Sequence, residues 1–264
     1  MKLHIFNIIK FITIVTVLFF SLTNQGTLGW ALGVFKGHHE ISHKQNLVFT
    51  DYKINDYLYR LLHDEESGYE YFEILQNEGK VFTSEIGMFY GINIGSNNEN
   101  IPPPGEDITG DGIPDLVVEG YSGGAHCCYD YTIFSLGEQF KIIAHLQGND
   151  SSFEFKDIDG DGVYEIIGRD CTFAYWETYF AASPAPEIIL HYKDSKYKLA
   201  CELMRKSHPE LIDEFNEKLE KVISEPAWTT EVPPSLWEYM LDLIYTGNSK
   251  IAYNFFIAPG KAIK

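Results

Sequence analysis

The rhythm of apolar residues changes along the chain. Phe11–Leu22 (FITIVTVLFFSL) is a run without charge. In DYKINDYLYRLLHDEE (Asp51–Glu66), Tyr57, Leu58, Leu61 and Leu62 are spaced as one face of a short helix. Tyr69–Phe82 carries two β-prone runs about Asn77-Glu78-Gly79, which predicts a hairpin. From Asp115 to Ala200 the pattern is strand-like, with DLVVEGY, CCYDYTIFSL, FKIIAHL, FEF, YEIIG, PEIILHY and KYKLA separated by Gly, Asp, Asn and Lys turns. The spacing then returns to i, i+3/i+4 over Leu199–Ile223 and Pro233–Gly247, predicting helices. Pro226, Pro233 and Pro234 mark their junction and Gly247 the C-cap. These elements predict a mainly β chain with a C-terminal helical segment, α+β overall.

The first run has Lys2 and Lys10 before it and is too short for a membrane span of ~20 residues. It fits the apolar core of a secretory leader ending at Gly29 or Ala31, an uncleaved anchor being the alternative. The expected organisation is a signal peptide over 1–29, a lead-in with a short helix and a hairpin over 30–100, a β-rich region over 101–200 and a helical segment over 201–264. Export would place the protein in a periplasmic or extracellular compartment, with no membrane span once the leader is removed.

Composition narrows the function classes. Of the 264 residues, 45% are hydrophobic and 15% aromatic, enough for a core and too many for a disordered chain. A net charge of −18 argues against nucleic acid as a partner, because no basic patch is available to displace counterions. Cations are the natural partners of so many carboxylates.

Two nonapeptides align: DITGDGIPD (Asp107–Asp115) and DIDGDGVYE (Asp157–Glu165), their starts 50 residues apart and each followed by a β-run. Oxygen-bearing side chains fall at positions 1, 3, 5 and 9, with glycine at position 6 for the sharp turn. Hard Ca²⁺ takes six to eight oxygens, and such a loop can wrap alternate side chains around one ion, with the carbonyl of position 7 (Ile113, Val163) joining them. An EF-hand would need a bidentate Glu at position 12, where Val118 and Gly168 stand here. The acid at position 9 followed by a strand instead resembles the FG-GAP/VCBS repeat, the calcium-binding hairpin loop of integrin-α-type propeller blades. Carried over residue by residue, the resemblance implies side-chain ligands Asp107, Thr109, Asp111 and Asp115 in the first loop. In the second they are Asp157, Asp159, Asp161 and Glu165. Thr109 stands where Asn or Asp is usual and offers only a neutral hydroxyl. The period suits four-stranded propeller-like units, but the chain is too short for a closed propeller, so a partial or degenerate arrangement is expected.

Other motifs suggest other chemistry. HEISH (His39–His43) matches the zinc-binding H-E-x-x-H pattern, without an amphipathic helix around it or a third ligand. GYSGG (Gly120–Gly124) matches the nucleophile elbow that would expose Ser122, but a second β-run rather than a helix follows. Gly123-Gly124 reads better as a turn between strands. The four cysteines, Cys127, Cys128, Cys171 and Cys201, are expected to form a structural disulfide rather than a zinc site with His126. With the repeats side by side, the bridge would run from Cys127 or Cys128 to Cys171. Tyr175, Trp176, Tyr179 and Phe180 could line a ligand surface or fill a core.

The leading expectation is therefore an exported calcium-binding protein, a non-catalytic recognition or adhesion module with a protein or carbohydrate ligand. An exported hydrolase built on Ser122 or a HEISH zinc site is the alternative. A structural protein whose C-terminal helices dock on another subunit is the third reading.

Overall fold

The computed structural model describes residues 47–65, 68–94, 99–124, 127–176, 178–205, 217–224 and 234–257. The expected leader, the HEISH motif and the expected lead-in up to Asn46 lie outside these residues. The strands form three four-stranded antiparallel sheets, each a meander of consecutive strands. The first holds β1 (Leu47–Ile54), β2 (Tyr57–Asp64), β3 (Glu70–Gln76) and β4 (Gly79–Thr83). The second holds β5 (Phe89–Gly91), β6 (Asp115–Gly124), β7 (Cys127–Leu136) and β8 (Phe140–Asn149). The third holds β9 (Glu154–Lys156), β10 (Glu165–Arg169), β11 (Glu187–Lys193) and β12 (Lys196–Leu199). The mainly β reading, with a helical C-terminal segment, describes this architecture, and among the described residues no barrel closes.

The helix expected over Asp51–Glu66 is instead the β1–β2 hairpin, registered Ile54↔Tyr57 through Leu47↔Asp64. Asn55 takes the left-handed conformation (φ 52°) that a tight hairpin turn requires and a helix does not tolerate. Tyr57, Tyr59 and Leu61 also alternate, so a short apolar run satisfies either period. Pairing with β3 (Tyr59↔Ile74, Leu61↔Phe72) decides between them. The hairpin expected about Asn77-Glu78-Gly79 is present as β3–β4, with Asn77 and Glu78 both at positive φ.

The sheets stack face on face. Tyr57, Tyr59, Phe72 and Ile74 of the first pack against Leu116, Val118, Phe134 and Leu136 of the second. The opposite face of the second sheet gives Val117, Tyr131 and Ile133 to a separate core with Phe155 and Ile166 of the third and Phe153 just before it. The first part of β6 is thus buried on both faces, which is why DLVV is a continuous apolar run rather than an alternating one. Phe72, 1% exposed, has ring neighbours in Tyr59, Phe82, Tyr90 and Phe134. On the far face of the first sheet Arg60 donates two 2.7 Å bonds to Asp51, and Lys80 pairs with Glu73 at 2.9 Å.

The third sheet packs Ile189 with Ala200 and Met204, and Tyr245 joins this cluster from the helical segment. The helix expected from Leu199 does not begin there: Leu199 closes β12 and a single turn follows, Met204 N–H bonding Ala200 C=O. Residues 217–224 are helical. The second expected helix is α1 (Pro234–Tyr245), and Gly247 ends it as anticipated. At φ 82° it lets its own N–H reach Ile244 C=O and that of Asn248 reach Leu243 C=O, the double bond of a Schellman cap. A further helix, α2 (Ser249–Ile257), follows and buries Ala252 and Phe255.

Candidate metal centre

Each acidic nonapeptide lies between the first and second strands of its sheet, ending at the first residue of β6 or β10. The two loops fold alike because their side chains bind the same backbone groups. Asp107 accepts from the amides of Gly110 (2.8 Å) and Gly112 (2.7 Å), as Asp157 does from Gly160 (2.7 Å) and Gly162 (3.1 Å). Asp111 accepts from Ile113 N–H at 2.9 Å, and Asp161 from Val163 N–H at 2.8 Å. The acid at position 9 reaches back to position 2: Asp115 accepts from Ile108 N–H at 3.1 Å, and Glu165 from Ile158 N–H at 2.9 Å. Glycines at positions 4 and 6 of both loops have φ between 73° and 88°, so left-handed backbone recurs at matching places.

The position-9 acids are the buried members, Asp115 being 1% and Glu165 2% exposed, whereas Asp111, Asp159 and Asp161 face solvent. Burial, followed by the neighbouring Asp111 and Asp107 carboxylates, pushes Asp115 up to about 7 against its bonds from Ile108 and Thr109. Burial likewise raises Glu165, with Asp159, Asp161 and Asp157 adding to it. Among the described residues no basic side chain pairs with either acid. In the second loop Asp157, Asp159 and Glu165 each present an oxygen within 4.8 Å of the others. In the first, Thr109 stands at position 3 and donates its hydroxyl to Asp115 Oδ2 at 3.2 Å. The other oxygen, Asp115 Oδ1, is buried without a hydrogen-bond partner.

These residues fit a hard cation. A carboxylate has about four lone-pair sites, so an oxygen that accepts one amide can still face an ion. A buried, unpaired acid oxygen is costly unless a donor or a cation meets it. Among the described residues the structure brings only Asp157, Asp159 and Glu165 together as a group of acids; Asp161, and Asp107, Asp111 and Asp115 of the first loop, do not gather in the same way. Tyr164 and Glu106, absent from the sequence reading, join the two loops through a bond from the Tyr164 hydroxyl to the Glu106 carboxylate. Their separation of 58 residues left no local signal.

The remaining candidates separate. Ser122 lies within β6, which runs on to Gly124 and returns as β7, so the strand-to-helix elbow is not formed; its Oγ accepts from Cys128 N–H at 2.7 Å. The bridge expected between Cys127 or Cys128 and Cys171 is absent: Cys171 and Cys201 carry free thiols, while Cys128 is disulfide-bonded. Cys171 opens the 3-10 turn Cys171–Phe173 and belongs to no strand paired with β7, whose neighbours are β6 and β8. Of the four aromatics, Trp176 packs on Trp237 of α1 with ring centroids 4.8 Å apart, while Tyr175 and Tyr179 are exposed. No family model, curated protein or solved structure matches the chain.

Proposed function

We propose that the protein binds calcium at both loops and serves as an exported, non-catalytic recognition module, as its resemblance to FG-GAP/VCBS repeats implies. The observation that carries this reading is the buried acid at position 9, present in both loops without a basic partner and, in Asp115, with an oxygen no donor satisfies. Asp107, Thr109, Asp111 and Asp115 would hold one ion, and Asp157, Asp159, Asp161 and Glu165 the other, with the carbonyls of Ile113 and Val163. The ion would supply charge neutralisation and rigidity to loops that otherwise crowd carboxylates together. Thermal melting of the chain in millimolar calcium and in EGTA tests it. An ion that binds only the folded state at 100-fold saturation adds ~2.7 kcal/mol, about 5–10 °C for a domain of this size. Equal melting temperatures in the two buffers refute calcium as the resident ion.

A further inference from the structure

The two loops touch each other, and through an unusual link. The peptide joining Val163 to Tyr164 has two ends. Its carbonyl belongs to position 7, and its N–H donates to Ile108 C=O of the first loop at 3.0 Å. That acceptor peptide leads directly into Thr109, and the N–H of the same Ile108 is held by Asp115 Oδ2 at 3.1 Å. Two further contacts come from the same pair of residues. The Val163 side chain lies against Gly110, where a Cβ would come within 2.7 Å of Val163 Cγ2. The Tyr164 hydroxyl donates to Glu106, next to Asp107.

We propose that the two loops are a single two-ion unit with positive coupling, in which filling the second loop raises the affinity of the first. This rests on the calcium reading above, and the unpaired Asp115 Oδ1 is the observation that gives the first loop a site to couple to. The second loop already gathers three carboxylates within 4.8 Å. The first has only a hydroxyl at position 3 and stands to gain from being held in shape. A cation drawing on the Val163 carbonyl would polarise that peptide and strengthen its N–H bond to Ile108, since linked hydrogen bonds reinforce one another. Fixing Val163 and Tyr164 also fixes Gly110 and Glu106, which flank Thr109 and Asp107. By linkage the effect is reciprocal, so each loop must favour the other by the same factor.

Calcium titration calorimetry on the full chain tests the coupling, with Asp111→Asn and Asp159→Asn reporting each loop alone. Coupling requires the product of the two wild-type stepwise constants to exceed the product of the single-loop constants by roughly fivefold or more. Tyr164→Phe, which alters no proposed ligand, should remove much of that excess while two ions still bind. It also keeps the question decidable if an acidic-loop variant does not fold, because its isotherm is compared with the wild type directly. Two ions bound with equal products, or a Tyr164→Phe isotherm superimposable on the wild type, overturn the coupling and leave the calcium reading in place. A wild-type chain that binds no calcium overturns both.

Discussion

Gly110 and Gly160 occupy position 4 of their loops with nearly the same backbone, φ 73° and 80°, yet their surroundings differ. A Cβ on Gly160 would meet nothing within 4 Å, whereas one on Gly110 would lie 2.7 Å from Val163 Cγ2. The pair therefore separates backbone strain from packing between loops. Gly160→Ala should cost only the left-handed conformation, roughly 1–2 kcal/mol. Gly110→Ala should add the displacement of Val163 from a packed contact, about 1–3 kcal/mol more. Urea unfolding in EGTA, with ions excluded from both loops, measures the two variants on the same footing. Adding Val163→Ala should return most of the extra loss in Gly110→Ala and none of it in Gly160→Ala, a coupling energy read from a double-mutant cycle. Equal losses for the two glycine variants, or no recovery with Val163→Ala, would show that the loops do not dock as described.

Phe72→Ala should destabilise by about 3–5 kcal/mol, because four rings line the space it leaves between the first two sheets; chemical denaturation gives the value, and a loss under 1 kcal/mol would contradict that packing. Asp159→Ala should weaken calcium binding more than Thr109→Ala, since it removes a carboxylate rather than a hydroxyl, and calorimetry of the two variants compares them. His145 has its titration raised above 6.5, chiefly by its bond to Asp130 and against the effect of burial. Its contribution to stability should be complete below 6.5 and fade as pH rises through the folded value. An NMR titration of the imidazole should move back down in Asp130→Asn, and an unmoved curve would remove Asp130 as the cause.

Short apolar runs bounded by turn residues were enough to locate β6 through β12, because those residues have strong conformational demands and the runs between them are too short for helices. The acidic loops were legible for a related reason: their spacing encodes bonds between residues a few positions apart. Tyr57–Leu62 misled because four apolar residues satisfy two periods, and only the distant partners Phe72 and Ile74 choose one. The short α2 carries only Ala252 and Phe255 into the interior, too little periodicity to stand out. Docking between loops was beyond reach, since Tyr164 and Glu106 meet only after two sheets have stacked. The cysteine pairing failed for the same reason: it assumed which strands would be neighbours.

The far face of the first sheet has a consequence for what can stack upon it. Face-on stacking has no inherent end, and any sheet with an apolar outer surface invites another. Here Asp51, Arg60 and Glu73 stand opposite one another across β1, β2 and β3, and Lys80 answers Glu73 from β4. A newcomer covering that row would have to strip water from charges already matched within their own sheet, and would offer them nothing in return. The row thus sets a desolvation cost on stacking at that part of the face, while the inner wall of the sheet takes part in the core.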